Sequence, residues 1–223
     1  MRYLIISDIQ GNLEAMQRFD ELSNDFNRDY TLCLGDFLNK GRSYDESRVV
    51  DLFRKMPNNV GIRGNHEEYT DDSDKLEIHN QFFLNGLPHF REQEDLFLFH
   101  CSRKNPLKYL ERIEDIREEA EYLLSNHPDT NFFLFGHTHK QKVYQVDPSN
   151  PNSGHTFELP GNEVSLDTSK KYIINPGSLG QGSKRSQTFS VLDTSLGIIR
   201  HYNLEGLKKI EFPSKTKKTS KEK

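Results

Sequence analysis

The sequence is poor in cysteine and has no long apolar run. Only two of its 223 residues are cysteines, Cys33 and Cys101, which are too few for a disulfide framework. No apolar run approaches the roughly 20 residues that a membrane-spanning helix needs. The apolar stretch at the start is interrupted at Asp8, before it reaches the length of a signal peptide. These absences predict a soluble, cytoplasmic protein with no membrane partner.

Positive charge is not in excess either. The chain has 30 lysines and arginines against 34 aspartates and glutamates, which gives a formal net charge of -4. Because a protein that tracks a long nucleic acid needs repeated basic contacts to phosphates, this balance argues against that class. A local basic pocket is still compatible with it. Aromatic residues make up 11% of the chain, which favours a folded protein over a disordered one.

Short apolar runs alternate with segments of helical periodicity in the first part of the chain. Strands are predicted at residues 2–7, 30–35, 59–64, 96–102 and 131–139, and helices at 13–22, 45–55, 76–84 and 112–125. Asn12 is the predicted N-cap of the first helix. Alternating strands and helices are typical of βαβ units, in which helices cover the faces of a sheet. After residue 141 the pattern changes to strands alone, in KVYQV, HTFEL, EVSL, KYIIN, TFSVL and GIIRHY.

We find neither an internal repeat nor a linker composition along the chain. A single domain over residues 1–212 is therefore predicted. The last eleven residues, 213–223, read PSKTKKTSKEK, which is basic and without hydrophobic pattern. This composition predicts a disordered tail.

Each apolar strand of the first part ends in side chains that can bind metal ions. Because ligands of open α/β sheets bind at the carboxyl ends of the strands, these side chains are expected to meet at one edge. Taken singly, an aspartate after a strand is usually a turn cap, and two histidines at alternate positions of a strand simply share a face. Their joint order favours a site for divalent transition metals, which imidazole and carboxylate groups bind well. The strand-end residues are Asp8, Gln10, Asp36, Asn65, His66, His100, His137 and His139.

The order of these motifs resembles that of a known family. The chain reads DxQ, GD, GNHE, H and GHTH, and is similar to the calcineurin-like metallophosphoesterase superfamily, whose pattern is DxH, GDxx, GNH(D/E), H and GHxH. The run NPGSLGQ at residues 175–181 is typical of the compact prokaryotic, phosphodiesterase-like members. The resemblance implies an α/β fold, a four-layer α/β-β-α sandwich with a dinuclear metal site between two sheets. It refines the simpler picture of one sheet covered by helices.

The resemblance also implies a role for each strand-end residue. Two divalent ions are expected, manganese first, with iron, zinc, cobalt or nickel as alternatives. Asp36 would bridge them, and His66 would face the leaving-group oxygen without binding metal. A water bridging the two ions would be activated for in-line attack on phosphorus. The implied ligands are Asp8, Gln10, Asp36 and His139 for the first ion, and Asp36, Asn65, His100 and His137 for the second.

The chain departs from the family pattern at three positions. Gln10 replaces the usual histidine, and its weaker amide oxygen should lower the affinity of the first site or favour a harder ion such as Mn²⁺. Cys101 stands where glycine is more common, either as a packing substitution or as a thiol near the metal. Lys40 replaces an arginine and is a candidate contact for the substrate phosphate.

Other basic residues and histidines were weighed against the same pattern. Lys184 and Arg185 form a second candidate phosphate contact, after the NPGS turn. Five histidines fall outside the motifs and are interpreted as ordinary surface or packing residues. They are His79, His89, His127, His155 and His201.

The predicted function is a metal-dependent phosphoesterase, a hydrolase of phosphoric ester bonds. Its substrate is expected to be small: a phosphodiester, a phosphomonoester or a dinucleotide polyphosphate, so that a nucleotide is one candidate partner. A catalytically silent protein-binding scaffold of the same fold is an alternative, and the retained His66 argues against it. A nuclease is a third reading, which the net charge, the small size and the lack of a long basic stripe in the sequence disfavour, so no long nucleic acid is expected as a partner. The oligomeric state is not predicted.

Overall fold

The computed structural model describes residues 1–40, 45–70, 75–105, 108–149, 157–158, 161–181 and 186–207. Twelve strands are found in these ranges. In chain order they are β1 (Arg2–Ile6), β2 (Tyr30–Cys33), β3 (Asn59–Gly61), β4 (Phe90–Gln93), β5 (Leu96–Phe99), β6 (Phe132–Leu134), β7 (Gln141–Val146), β8 (Phe157–Glu158), β9 (Glu163–Ser165), β10 (Lys171–Pro176), β11 (Thr188–Asp193) and β12 (Ile198–Asn203).

Four α-helices accompany the strands in the described ranges, with short 3₁₀ turns at Asn24–Phe26, His66–Tyr69 and Leu204–Gly206. None of these helices has the length and apolarity that a membrane crossing requires. The α-helices are α1 (Leu13–Ser23), α2 (Glu46–Lys55), α3 (Ile78–Asn85) and α4 (Ile113–Asn126).

The strands form two sheets of six. The first sheet has the order β3-β2-β1-β11-β12-β9, and the second has the order β4-β5-β6-β10-β7-β8. In the first sheet β1, β2 and β3 are parallel to one another. In the second sheet β5, β6 and β10 are parallel to one another. Each sheet therefore has parallel strands whose carboxyl ends lie at a common edge.

Alternating side chains along the strands divide the interior into separate cores. Ile5 of β1 packs with Leu98 of β5 in the core between the two sheets. The next residue back, Leu4, faces the other way and packs with Phe19 of α1. This division follows from the twofold periodicity of a strand, in which successive side chains point to opposite faces.

A third core lies on the outer face of the second sheet. Phe99 of β5 and Phe135 pack there against Ile116 and Leu123 of α4. The order of layers is therefore helices, sheet, sheet and helix, which confirms the predicted four-layer α/β-β-α sandwich. The aromatic side chains of the LFLF and NFFLF runs supply much of this third core.

The predicted helices agree closely with the observed ones. Helix α1 begins where expected, because Asn12 Oδ1 accepts a hydrogen bond from the Ala15 N–H at 3.1 Å. This bond satisfies one of the backbone donors that a helix leaves free in its first turn. Helix α2 ends at Lys55, shortly before Pro57, as the proline predicts.

Strand β4 was not predicted from the sequence. Its residues, FREQ, are mostly charged or polar and largely exposed, so they carry no alternating hydrophobic signal. The strand forms because it pairs antiparallel with the apolar β5, with Phe90 opposite Phe99. It is an edge strand of the second sheet, which explains why it can be polar.

Some sequence predictions fall outside the described residues. The HTFEL strand is described only at 157–158, where β8 pairs with β7. The end of the predicted domain and the predicted disordered tail, 213–223, also lie outside. Those boundaries remain predictions.

An ion pair between Arg2 and Asp193 joins β1 to β11. Nε and Nη2 of Arg2 donate to Asp193 Oδ2 at 3.0 and 2.8 Å. Burial alone would raise the pKa of Asp193, but hydrogen bonds from Ser195 and Arg2 hold it below its ordinary value. The charged carboxylate therefore stabilises the fold at neutral pH, and this contribution is lost as the pH falls through the pKa of the folded state.

Asp193→Asn should lower the free energy of unfolding at pH 7 by about 1 to 3 kcal/mol, because the Arg2 charge loses its partner. Urea unfolding at several pH values measures this difference. It should begin to shrink below the ordinary aspartate pKa of about 3.9 and disappear as the pH falls through the lower pKa that Asp193 has in the folded state. Asp25→Asn, at an exposed position, should change stability by at most about 0.5 kcal/mol. Equal stability of Asp193→Asn and the native protein at pH 7 would contradict the role of this pair.

Candidate metal centre

The predicted strand-end residues converge between the two sheets. Asp8 follows β1, Asp36 follows β2, and Asn65 follows β3, all at the carboxyl edge of the first sheet. His100 follows β5, and His137 follows β6, at the facing edge of the second sheet. The two sheets thus contribute acidic and amide groups from one side and imidazoles from the other.

Two buried carboxylates lie next to a buried imidazole at the centre of this site. Asp8, Asp36 and His100 have ligand atoms within 4.8 Å of one another. The Nε2 atom of His100 is 3.4 Å from Asp36 Oδ2 and 3.9 Å from Asp8 Oδ1. This spacing leaves room for a cation between the groups, and carboxylates and imidazoles are suitable ligands for one.

One oxygen of Asp8 makes no hydrogen bond of good geometry with any described residue. Asp8 Oδ2 accepts from the N–H of His137 at 3.0 Å. Oδ1 is buried and makes no well-formed hydrogen bond within the described ranges, although His139 Nε2 lies 3.1 Å away. Because burying an uncompensated carboxylate oxygen is costly, this atom fits the position of a metal ligand.

The histidines are oriented by the backbone so that one ring nitrogen faces the site. His100 Nδ1 is 2.6 Å from the carbonyl oxygen of Leu34, to which it donates. Its Nε2 lone pair is then free to bind a metal ion, as in many metal sites where a carbonyl fixes the ligand tautomer. His66 is held in the same way, with Nδ1 2.9 Å from the Leu38 carbonyl oxygen.

The remaining predicted ligands lie beside this core. Asn65 Oδ1 is 3.2 Å from His100 Nε2, and the His137 ring centroid is 5.2 Å from that of His100. The Gln10 amide nitrogen is 3.2 Å from His139 Nε2. A half-turn of this amide would present its oxygen instead, and the two orientations have nearly the same shape.

The carboxylates set the protonation of the imidazoles around them. Burial alone would lower the pKa of His100, but the charges of Asp36 and Asp8 raise it to about 10. The pKa of His137 is lowered to about 4 by burial and by the neighbouring His100 charge. The site therefore attracts positive charge strongly, and a proton on His100 supplies it when no metal ion does.

Several site residues have a left-handed backbone. Asp8, Gln10, Asp36, His137 and His139 all have φ between 50° and 70°. Such angles are uncommon outside glycine and cost on the order of 1–3 kcal/mol each. The chain turns sharply at each strand end, and backbone hydrogen bonds hold the turns, among them Asp8 N–H to the Gly35 carbonyl oxygen at 3.0 Å. Strain of this kind is concentrated at functional sites.

The NPGS run braces the same strand ends. The Ser178 hydroxyl donates to the carbonyl oxygen of Asp8 at 2.9 Å. The buried Asn175 side chain donates to the Gly136 carbonyl oxygen at 2.7 Å. The loop that follows β10 therefore ties the end of β1 to the end of β6.

The predicted phosphate contacts have different outcomes. Lys40 lines a pocket of about 220 Å³ together with Gln10, Asp36 and His66, so it lies beside the metal ligands. Arg185 and its neighbour Lys184 lie outside the described residues. The role of each in binding phosphate remains a prediction.

Residues 1–197 match the family model described as the calcineurin-like phosphoesterase superfamily domain. The chain belongs to the calcineurin-like phosphoesterase superfamily. This membership indicates a hydrolase of phosphoester bonds that uses divalent metal ions.

The superfamily assignment agrees with individual relatives. An uncharacterized protein of Methanocaldococcus jannaschii is 29% identical over 207 residues, which cover 79% of this chain and 75% of that protein. The crystal structure of a metallophosphoesterase from Sphaerobacter thermophilus has a TM-score of 0.70 at 24% identity and covers 91% of this chain and 88% of its own. An archaeal phosphodiesterase structure has a TM-score of 0.56 at 18% identity, over 91% of this chain and 99% of its own. At these identities the two structures show a shared fold.

Glu67 is a residue of this phosphoesterase to which the sequence analysis assigned no role. Its buried carboxylate accepts hydrogen bonds from the N–H groups of Asp36, Gly64 and Leu38, at 2.8, 2.6 and 3.1 Å. Burial and the charge of Asp36 raise the pKa of Glu67 to about 7. The carboxylate thus holds the ends of β2 and β3 together beneath the bridging-ligand candidate. Its place directly after GNH was the signal that could have revealed it.

Gly64 is required by the same close approach. A Cβ atom at this position would overlap the Asp36 carboxylate and the Asp36 backbone nitrogen. The glycines of the GD and GN motifs therefore allow the two strand ends to touch.

Tyr109 is a second site residue that the sequence did not indicate. Its ring stacks on His137, with centroids 4.0 Å apart and an interplanar angle of 29°. The side chain is 55% exposed, so it covers one side of the ligand pocket while facing solvent. It lies in a polar stretch without periodicity, which offered no signal.

Glu67→Gln should lower the free energy of unfolding by about 1 to 3 kcal/mol, because an amide NH₂ would face a backbone N–H donor. Metal affinity should fall by about 10- to 100-fold, since the carboxylate supports Asp36. Chemical unfolding and calorimetric titration with Mn²⁺ measure the two effects. Glu68→Gln, one residue further and exposed, should leave stability within about 0.5 kcal/mol. Equal effects of the two substitutions would refute the bracing role of Glu67.

Proposed function

We propose that this protein is a metal-dependent phosphoesterase that hydrolyses a small phosphodiester, phosphomonoester or dinucleotide polyphosphate. The observation that carries the proposal is the cluster of Asp8, Asp36 and His100, in which one buried Asp8 oxygen makes no well-formed hydrogen bond within the described residues. Burying two carboxylates this close together lowers the stability of the fold, so a purely structural role does not account for them. A small phosphorylated molecule is the expected partner.

The donor groups fit two divalent ions that share Asp36. The first ion would be held by Asp8, Gln10, Asp36 and His139, and the second by Asp36, Asn65, His100 and His137. Support comes from the short distances within each set, such as 3.1 Å from His139 Nε2 to Asp8 Oδ1 and 3.2 Å from His100 Nε2 to Asn65 Oδ1.

Metal ions bound there would supply Lewis acidity, which neutralises phosphate charge and lowers the pKa of a bound water. Gln10 makes the first set richer in oxygen than the usual histidine would, which favours manganese.

His66 is the proposed proton donor to the leaving-group oxygen. Its Nδ1 is engaged with the Leu38 carbonyl oxygen, and its Nε2 lies 3.7 Å from Asp36 Oδ2. The ring lines the pocket of about 220 Å³ that also contains Lys40. A proton held at Nε2 can therefore reach an alkoxide that departs from phosphorus, while Lys40 attracts the phosphate into the pocket.

The test of the proposed function is a metal-dependent substrate panel with an Asp36→Ala control. The panel contains p-nitrophenyl phosphate, bis(p-nitrophenyl) phosphate, cyclic nucleotides and diadenosine polyphosphates, each with Mn²⁺, Zn²⁺, Co²⁺ or Ni²⁺. Asp36→Ala should lower both turnover and bound metal per chain, and turnover should fall by more than about 100-fold. Asp25→Asn, at an exposed position, should behave as the native protein.

The panel also separates the enzyme from a silent scaffold. Turnover that depends on metal and on Asp36 would support the phosphoesterase. If no substrate turns over with any metal, the protein-binding scaffold becomes the better account. Metal bound normally by Asp36→Ala would refute the bridging role of this residue.

His66→Ala should retain bound metal but lose activity according to the leaving group. Hydrolysis of alkyl esters should fall by about 10²- to 10⁴-fold, because an alkoxide needs a proton, whereas p-nitrophenyl esters should be affected far less. Steady-state kinetics on matched methyl and p-nitrophenyl esters, with metal analysis of the same samples, measure this. His79→Ala, whose side chain contacts Asp51 and Glu77 away from the site, is the control. An unchanged rate on the alkyl ester would rule out His66 as the proton donor.

A further inference from the structure

A second and larger cleft opens from the metal pocket. Its volume is about 430 Å³, compared with about 220 Å³ for the pocket that holds Asp36 and His66. The two share Lys40 and Asn65 as lining residues, and the ligand candidate His100 also lines the larger cleft. The cleft therefore extends outward from the candidate metal ligands. A volume of this size is typical of sites that hold a small molecule.

The cleft is lined by basic side chains from three separate segments. Lys40 follows β2, Arg63 follows β3, and Arg103 follows β5. Within the described ranges, no carboxylate pairs with any of the three, and Glu68 is the one acidic side chain in the lining. His89, which the sequence analysis interpreted as an ordinary histidine, lines the same cleft. Among the described residues, these three positive charges are not neutralised by a carboxylate, so the lining favours an anionic ligand.

Neutral groups hold the basic side chains in place. Arg63 donates from Nη2 to the carbonyl oxygen of Glu67 at 2.9 Å. The Arg103 guanidinium lies 4.1 Å from the centre of the Phe90 ring. Lys40 lies over the Tyr69 ring at 5.9 Å. Carbonyl and aromatic contacts orient a cation without neutralising its charge, so an anion meets groups that are already arranged.

We propose that this cleft binds the departing part of the substrate, and that this part carries a phosphate group of its own. The inference rests on the proposed function and narrows its substrate to the dinucleoside polyphosphate class. A neutral sugar or alkyl leaving group would make no ionic contact with Lys40, Arg63 or Arg103. The guanidinium group of arginine, by contrast, can donate two parallel hydrogen bonds to two oxygens of one phosphate.

The proposed reaction consumes one water molecule. Its oxygen bonds to the phosphorus that lies in the pocket beside Asp36 and His66, and the bond from that phosphorus to the bridging oxygen breaks. The bridging oxygen keeps the electron pair and becomes a terminal oxygen of the departing phosphate. The two protons of the water pass to solvent or remain on the product phosphates. Arg63 and Arg103 then face the charge that has developed on the leaving group.

The kinetic test compares two substrates on the metal-loaded protein. The leaving group of diadenosine tetraphosphate carries a phosphate. The leaving group of bis(p-nitrophenyl) phosphate is a phenolate, which carries none. Arg103→Gln should lower the ratio of the two kcat/KM values by about tenfold or more, because a charge-assisted contact to phosphate is lost. Arg103→Lys should restore part of this ratio. Arg91→Gln, on neighbouring β4 but outside the cleft lining, should leave it unchanged.

A binding measurement tests the inference without requiring catalysis. The methylene-bridged, non-hydrolysable analogue of diadenosine tetraphosphate is titrated into the native protein and each variant by calorimetry. Arg103→Gln should weaken its binding by about tenfold or more, while chemical unfolding shows that the variant is folded. Arg63→Gln provides a second variant at the other side of the cleft.

The outcomes distinguish the two claims. Arginine-dependent binding without hydrolysis of any ester would support the cleft and refute the proposed phosphoesterase. Hydrolysis of bis(p-nitrophenyl) phosphate, with substrate ratio and analogue binding unchanged in both arginine variants, would overturn the inference and leave the phosphoesterase standing. Failure of the native protein to bind the analogue would also overturn the inference.

Discussion

Two buried carboxylates at the ends of neighbouring parallel strands impose the constraint on which the rest of the structure depends. Asp8 and Asp36 are buried beyond the carboxyl ends of β1 and β2, and their charge must be compensated inside the protein. The second sheet brings His100 to them, so the pairing of the sheets is also a pairing of charges. Hydrophobic contacts between the sheets are numerous but non-directional. The charged site, in contrast, requires one particular register of one sheet over the other.

Much of this arrangement could be predicted from the sequence, because the information is local. Apolar runs identified the strands, and the polar residues directly after them identified the edge where the site lies. Glu67 could not be assigned a role, because its function is to accept hydrogen bonds from backbone groups of another strand end. The polar strand β4 and the stacking of Tyr109 on His137 likewise depend on partners distant in sequence, which periodicity does not reveal.

The site combines two environments of opposite charge. Acidic groups supported by backbone N–H donors form the metal pocket, and basic groups supported by carbonyls and aromatic rings form the adjoining cleft. The acidic and basic groups are each held by contacts of their own, so within the described residues they do not form ion pairs with one another, although both regions share Lys40 and Asn65. The overall charge of the chain is slightly negative and gives no sign of this separation, because a net value averages over it.

The position of β1 has a consequence for synthesis of the chain. This strand precedes β2 to β12 in the chain, yet it pairs with β11, with Arg2 opposite Asp193. The Asp8 carbonyl oxygen accepts a hydrogen bond from Ser178, which is synthesised much later. The histidines that follow β5 and β6 are also synthesised after both aspartates. Asp8, Asp36 and one edge of β1 are therefore synthesised before the groups that contact them in the folded protein. The ligand candidates of the two sheets come together only when both sheets have formed, so assembly of the site depends on contacts between residues that are far apart in the chain.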